Sequence, residues 1–249
     1  LAHPDKAFNM GVAEADMMGV AAGLAAAGFR PLVQTFGPFA SRRCFDQVFL
    51  SVAYSGRDLT VIGTDPGVTA AFNGGTHMPF EDMALYRAIP GATVLDMADA
   101  VQLEAVLPLA YRQAGLKYIR FGRKPVLPVY ASGSTFDIGR APCLREGRDA
   151  TIVASGLLVA ESLAAADRLA AEGLSVAVLD AFCIKPLDGE AILAWAGRTG
   201  ALVTAENHNV IGGLGSAVAE LLAEHGPCPL ERVGVREAFG EVGPQDYLQ

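Results

Sequence analysis

Two successive α/β domains, each a three-layer stack of a parallel sheet between helices, are the fold this sequence predicts, and three observations lead there. Short runs rich in Val, Ile, Leu and Thr alternate with longer Ala-rich runs of helical spacing, as when crossover helices link the strands of a parallel sheet. The alternation breaks once, between residues 124 and 147, where Pro125, Pro128, Gly133, Ser134 and Pro142 collect. A chain of 249 residues, 51% of them hydrophobic, also has enough apolar surface for two small cores or one large one. The domains are expected at 1–124 and 148–249, with a linker at 125–147.

In the first series, residues 30–36 (RPLVQTF), 59–65 (LTVIGTD), 92–96 and 117–122 (KYIRFG) read as strands. Helices are expected at 13–27, 39–54, 81–87 and 99–113. In the first of these, Met17, Val20, Ala21 and Leu24 fall at i, i+3, i+4 and i+7 and make one apolar face, and Gly28 supplies the stop. The linker holds one short strand at 135–140. The second series has strands at 150–156, 175–180, 201–205 and 232–235, and helices at 158–171, 188–196 and 216–224.

Composition excludes several classes of function. The net charge is −8 and the pI about 5.0, a sign that repels nucleic-acid phosphates and anionic membranes. The longest uncharged stretch, 66–80, is 15 residues and carries Pro66, Gly67, Gly74 and Gly75, whereas a membrane span needs about 20 apolar residues. High apolar content with low charge excludes a disordered chain. Four cysteines at 44, 143, 183 and 228 form no CxxC pair, and are expected as free core thiols of a reducing cytoplasm. The opening LAHPDKAFN has no apolar signal-peptide core, so a cytoplasmic location is expected.

A few residues are candidates for chemistry. Glu14 sits in a segment built mostly of small and apolar residues. Two readings are open: a solvated helix-start carboxylate favoured by the helix dipole, or a buried carboxyl whose pKa rises above about 4.3 so that it holds a proton at neutral pH. Asp16 lies on another side of that helix, so the two make no carboxylate pair. His77 lies in NGGTHMP, a Gly-rich loop soon after the 59–65 strand. Loops beyond the carboxyl ends of parallel strands bind ligands, and Gly74 and Gly75 permit close backbone approach; a surface loop histidine is the plainer reading. Phe36 and Phe39, with Arg42 and Arg43 close behind, stand at a strand–helix junction. There they make either a wall for a flat ring or, as such spacing more often means, part of the core. Arg123 ends the KYIRFGR strand, where it meets a phosphate or carboxylate, or forms a surface ion pair.

Other motifs are absent. No GxGxxG follows a strand, and Gly19, Gly23 and Gly28 read as close helix packing. The loop from Gly212 to Ala217 lacks the third glycine of that fingerprint, there is no Walker A and no GxSxG, and four histidines at 3, 77, 208 and 225 have no ligand spacing. On spacing alone the sequence reaches a two-domain α/β protein with a candidate pocket near Glu14 and His77.

Over essentially the whole chain, the sequence resembles the C-terminal half of transketolase. GVAEADMMGVAAGLAAAGFRPLVQTF resembles the opening of the pyrimidine-binding domain of thiamine-diphosphate enzymes. PFASRRCFDQV, DPGVTAAFNGGTHMPFEDMALYRAIPG and YIRFGR continue in the family's order, and AFCIKPLD and TAENHNVIGGLGSAVAE are similar to its C-terminal domain. The resemblance implies a pyrimidine-binding domain at 1–124 and a transketolase C-terminal domain at 148–249. It also implies transfer of a two-carbon ketol group from a ketose or ketose-phosphate donor to an aldose acceptor, through a thiamine-diphosphate enamine. Glu14 matches the glutamate that hydrogen-bonds N1′ of the aminopyrimidine. Phe36 and Phe39, with Arg42 beside them, match the wall that holds the pyrimidine ring, which replaces the core reading. His77 matches a histidine at the donor's hydroxyls, suited to proton transfer, and Arg123 a substrate-phosphate ligand.

The family holds the cofactor's diphosphate and Mg²⁺ on a separate domain with a GDG motif, and this chain contains no GDG. The resemblance therefore implies the second subunit of a split transketolase, active only with a GDG-bearing partner, in an α₂β₂ assembly with sites at subunit interfaces. The C-terminal domain is expected to help subunits associate, with His208 structural. Three positions depart from the family's pattern: Asp65 replaces a phosphate-contacting histidine, Asn73 an aspartate on a donor hydroxyl, and Arg42 an aromatic residue. An acid at 65 disfavours a doubly charged phosphate, so an unusual ketose is expected. The alternatives are a 1-deoxyxylulose-5-phosphate synthase-like or 2-oxoacid dehydrogenase E1 β-like enzyme, and, in another class, a non-catalytic binding or regulatory subunit.

Overall fold

The computed structural model describes residues 3–249. Its first sheet contains β1 (Leu32–Phe36), β2 (Leu59–Thr64), β3 (Thr93–Asp96) and β4 (Leu116–Phe121), in the order β1-β2-β4-β3 and all parallel. The second contains β5 (Cys143–Arg145), β6 (Ala150–Ala154), β7 (Val176–Asp180), β9 (Leu202–Asn209) and β10 (Leu230–Val235), in the order β10-β9-β6-β7-β5, with β5 antiparallel at one edge. Between β7 and β9, β8 (Cys183–Lys185) leaves the second series and pairs antiparallel with β3, joining the first sheet.

Each sheet is covered on both faces, which is why its strands read as continuous apolar runs. In the first, Val61, Val94 and Tyr118 face α1 (Glu14–Ala26) and α3 (Asp82–Arg87), packing with Met18, Val48, Val52 and Tyr86. Their neighbours Ile62, Leu95 and Ile119 face α4 (Ala100–Arg112) through Val106 and Ala110. In the second, Ile152, Ala154 and Val178 face α5 (Leu158–Ala171). On the opposite face, Val153, Leu179 and Leu202 meet α6 (Gly189–Thr199) and α7 (Leu214–His225). The three-layer expectation holds for both sheets. The α1-side core of the first sheet runs without a break into the α6–α7 side of the second, through Ile184 of β8.

Some local expectations differ. The helix at 39–54 is broken: a single turn, α2 (Gly37–Ala40), is followed by an irregular turn and a wider π-helical segment, Gln47–Tyr54, that buries Val48 and Val52. The strand at 135–140 does not form. Phe136 inserts instead between Tyr130 and Phe182, with ring centroids 4.7 and 5.8 Å away, and the edge strand forms later as β5. The buried face of α1 is Glu14, Met18, Ala21 and Ala22, whereas Val20 is exposed. Gly19 and Gly23 have no neighbour at the position a Cβ would occupy, so the close packing expected of them is not made within this chain. All four thiols are free, but Cys143 is exposed on β5 and Cys228 half-buried, so only Cys44 and Cys183 are core residues. Among the described residues no helix is long and apolar enough to cross a membrane. The chain ends on a short turn, α8 (Gln245–Leu248).

Candidate active site

The parallel register aligns three strand ends. Phe36 of β1 pairs with Thr64 of β2, and Thr64 with Phe121 of β4. The residues just beyond, Gly37 to Arg43, Asp65 to His77, and Arg123, therefore gather at the carboxyl edge of the first sheet, where open α/β sheets bind ligands.

Glu14 lies at the start of α1 and is 6% exposed. Arg43 Nη1 donates to its Oε2 at 2.9 Å, and Thr35 Oγ1 to its Oε1 at 3.4 Å. Burial pushes the Glu14 carboxyl up, but the hydrogen bond and charge of Arg43, with its own backbone N–H and Thr35, outweigh burial and hold it below the usual glutamate value. The proton-holding form expected of a lone buried glutamate is thus displaced, because Glu14 is not alone.

Phe36, Phe39 and His77 form one aromatic group. Phe36 and Phe39 meet edge-on at 6.1 Å, and His77 lies 5.6 Å from Phe36 and 5.1 Å from Phe39. All three are half-buried, and none belongs to an apolar core cluster, so the core reading of the two phenylalanines does not hold. The guanidinium of Arg43 covers the Phe39 ring at 3.8 Å, and that of Arg123 lies 4.6 Å from the centre of the Phe36 ring. Thr76 Oγ1 lies 2.9 Å from His77 Nδ1, which leaves Nε2 as the ring nitrogen open to a ligand. Arg42 turns away from this wall. It binds Glu81 at 2.7 Å and the Thr76 carbonyl at 2.9 Å, bracing the His77 loop from outside.

Asp65 and Arg123 are partners. Asp65 is 2% exposed, and its carboxylate accepts from Arg123 Nε at 2.5 Å and from the Arg123 backbone N–H at 3.2 Å. With Asn73, Thr69, Ala70, Phe72 and Lys124 they line a hollow of about 220 Å³. A larger hollow of about 500 Å³ shares Thr69, Arg123 and Lys124 with it, reaches α4 and Asn207, and includes neither Glu14 nor His77. Among the described residues no group of three His, Cys, Asp or Glu side chains is placed to hold a metal ion.

The second domain supports this edge, a role that sequence reading missed. Asn207 on β9 accepts from Val68 N–H at 3.0 Å and donates to the Pro66 carbonyl at 2.9 Å, clamping the turn that follows Asp65. Gly67 there has φ +52°, and a Cβ would stand 2.0 Å from Asn207 Oδ1, so only glycine fits. Gly75, beside His77, is pressed against the Gly240 backbone, 2.4 Å from where its Cβ would lie. Behind these contacts Arg120, fully buried, binds Asp82 at 3.0 Å, Asp96 at 3.4 Å and the Asn207 carbonyl at 3.0 Å. His208 is also fully buried, 3.8 Å from both Asp82 and Glu206, and burial, with Arg120 nearby, lowers its pKa to about 4. The Glu206 carboxylate fills the N-terminus of α7, accepting from Leu214 and Gly215 at 2.7 and 2.8 Å, so that the Gly-rich loop serves an internal acid. The polar run ENHN at a strand end, unusual in a strand buried on both sides, was the one available signal.

Comparison with known proteins agrees with the fold. Residues 1–127 match the transketolase pyrimidine binding domain and 139–249 the transketolase C-terminal domain. A 6-deoxy-6-sulfo-D-fructose transketolase subunit of Clostridium sp. (strain MSTE9) is 53% identical over 246 residues, covering 99% of this chain and 76% of that one. A split-gene transketolase solved as an inactive β4 tetramer superposes with a TM-score of 0.90 at 43% identity, covering 96% of this chain and 78% of that one. A 1-deoxy-D-xylulose-5-phosphate synthase of Geobacter sulfurreducens stands further off, at 37% identity over 99% of this chain but 39% of its own length.

Proposed function

This chain belongs to the transketolase family, and from that premise we propose that it is the pyrimidine-side subunit of a split transketolase, transferring a two-carbon ketol group from a ketose to an aldose. The observation that carries the reading is the ionised Glu14 carboxylate joined through Arg43 to the half-buried Phe36–Phe39–His77 group. A carboxylate linked through Arg43 to a half-buried aromatic wall suits an aminopyrimidine, so these residues fit the thiamine diphosphate that the family uses. When bound, that cofactor supplies the electron sink that lets a carbon–carbon bond next to a ketose carbonyl break.

In this reading each residue has a task. The Glu14 carboxylate would accept a hydrogen bond from ring N1′–H and so favour the proton on that nitrogen, and Phe36 and Phe39 would hold the ring and exclude water. His77 Nε2 takes and returns a proton at a donor hydroxyl, with Thr76 and Arg42 setting its loop. Asn73 meets another donor hydroxyl, and Arg123 binds the anion at the donor's far end. The diphosphate and Mg²⁺ belong to a GDG-bearing partner, and two copies of each chain assemble in the cytoplasm as α₂β₂. The inactive β4 tetramer of the split-gene relative supports a requirement for that partner. The Clostridium relative's name supports a 6-sulfonated ketose as donor.

The test is ketol transfer to ribose 5-phosphate from 6-deoxy-6-sulfofructose and from xylulose 5-phosphate. The chain is assayed alone and with a GDG-bearing subunit, with thiamine diphosphate and Mg²⁺ present. Transfer only in the mixture, from a species sedimenting as two copies of each chain, is the expected result. Full activity of the chain alone would overturn the split reading, and no transfer in a loaded complex would overturn ketol transfer.

A further inference from the structure

We propose that Asp65 sets the charge of the donor this site accepts: by pairing with Arg123 it leaves an anion subsite suited to a donor whose far end carries one negative charge, and disfavours a doubly charged phosphate. The inference rests on the ketol-transfer reading above and assigns its selectivity to one residue.

The hollow of about 220 Å³ is lined by two cations, Arg123 and Lys124, one anion, Asp65, and four neutral residues. Both Asp65 oxygens are committed to Arg123, one to Nε and one to the backbone N–H. That fork fixes the guanidinium, which also stacks on Phe36. Its two Nη groups make no hydrogen bond to the described residues and are the donors left for a ligand. Asp65 thus both orients the anion-binding arginine and cancels one unit of its charge.

Charge then decides which anion gains. Lowering the potential of a pocket weakens a dianion twice as much as a monoanion, and the cost of stripping water from an ion grows with the square of its charge. A sulfonate presents three acceptor oxygens with a single charge throughout the physiological range. A phosphate monoester presents the same three oxygens, but with its second pKa near about 6 it is almost fully doubly charged at pH 7.5. The terminal oxygens are alike in the two; the phosphate's extra bridging oxygen is the same before and after a change at Asp65, so a shift in preference on removing the carboxylate's charge reports the charge alone.

The experiment uses the assembled enzyme with its diphosphate-binding partner, thiamine diphosphate and Mg²⁺, and two six-carbon donors, 6-deoxy-6-sulfofructose and fructose 6-phosphate. The readout is the ratio of their kcat/KM values. The wild-type ratio favours the sulfonate. Asp65→Asn, which keeps the shape and one acceptor for Arg123, shifts the ratio toward the phosphate on the order of tenfold. A second arm needs no variant: between pH 7.5 and 5.5 the phosphate becomes singly charged, and the wild-type ratio narrows. The charged groups facing the hollow are Asp65, Arg123 and Lys124; His77, beyond Phe36, acts on hydroxyls common to both donors and drops out of the ratio. A wild-type preference for the phosphate, a ratio unmoved by Asp65→Asn, or a ratio flat with pH would each overturn the proposal. Absence of transfer from both donors would overturn the ketol-transfer reading itself, a separate outcome.

Discussion

Arg43 Nη1 lies 2.9 Å from Glu14 Oε2 while its guanidinium covers the Phe39 ring. One side chain thus holds both the acid and the aromatic wall of the site, and keeps the acid ionised against its burial. Because the folded pKa of Glu14 is lowered, its contribution to stability is present above the unfolded value of 4.5 and is lost as pH falls through the folded value. Arg43→Ala removes the hydrogen bond and charge that offset burial, so the Glu14 carboxyl titrates higher than in the wild type, visible by carbon-13 NMR of the side chain. Arg43 is 42% exposed, so solvent screening limits the stability loss at pH 7 to about 1 kcal/mol.

Glu14→Gln removes the proton-sharing carboxylate and keeps the shape. Transfer by the assembled enzyme falls by about a hundredfold or more, while the thermal midpoint drops by only about 2–4 °C with loss of the Arg43 pair and the sedimentation of the complex is unchanged. Turnover near that of the wild type would remove Glu14 from the mechanism.

Asn207→Ala cuts both bonds from the second domain to the turn at 66–68. The turn carries Asp65 on one side and leads to Asn73 on the other, so donor KM rises several-fold with a smaller change in kcat, and amide exchange at Val68 accelerates. Asn207→Asp retains the acceptor for Val68 and restores part of the affinity. Equal loss of kcat and unfolding at lower temperature, with KM unmoved, would mark a structural role only.

His208 supplies a stability dependence on pH. Its folded pKa of about 4 lies below the ordinary 6.5, so the fold keeps it neutral while the unfolded chain gains a proton on acidification. Its contribution is full above pH 6.5 and is lost as pH falls from 6.5 toward 4. Glu206, raised to about 7 by burial, acts in the opposite sense over an overlapping window, and Asp82 and Arg120 complete the surroundings. Urea unfolding at pH 7 and pH 5 checks this: His208→Gln loses about 2 kcal/mol less between the two than the wild type does.

Much of this was legible from local pattern. The apolar runs of β2, β4, β6 and β7 are visible because burial on both faces demands them. The NGGTHMP loop was marked by the backbone freedom of its glycines, and Phe36 and Phe39 by the strand–helix junction between them. Other features were not. The 39–54 segment keeps helical spacing yet breaks after Ala40, because a periodic pattern reports which residues face the core and not which turn width delivers them. Phe136 looked like part of a strand, yet its place is decided by Tyr130 and Phe182. Arg42 and Arg43 are adjacent and alike in sequence; only the turn after α2 sends one to Glu81 and the other to Glu14.

By itself, the sequence determined two α/β series and an acidic chain with no helix-length apolar span, and it marked Glu14, Phe36, Phe39, His77 and Arg123 as candidates for chemistry. The series and the charge follow from residue type and short-range periodicity, which act within a few positions; the choice among the candidates came from the family resemblance, because spacing alone left Phe36 and Phe39 as core and His77 and Arg123 as surface residues. Only the tertiary structure decided that Arg43 holds Glu14 ionised, that Asp65 belongs to Arg123 across 58 positions, and that Asn207 clamps the turn after Asp65 across 139. The reason is geometric: a parallel sheet sets its strand ends level by register, and a buried charge or amide settles wherever that register brings a complementary partner within hydrogen-bond reach.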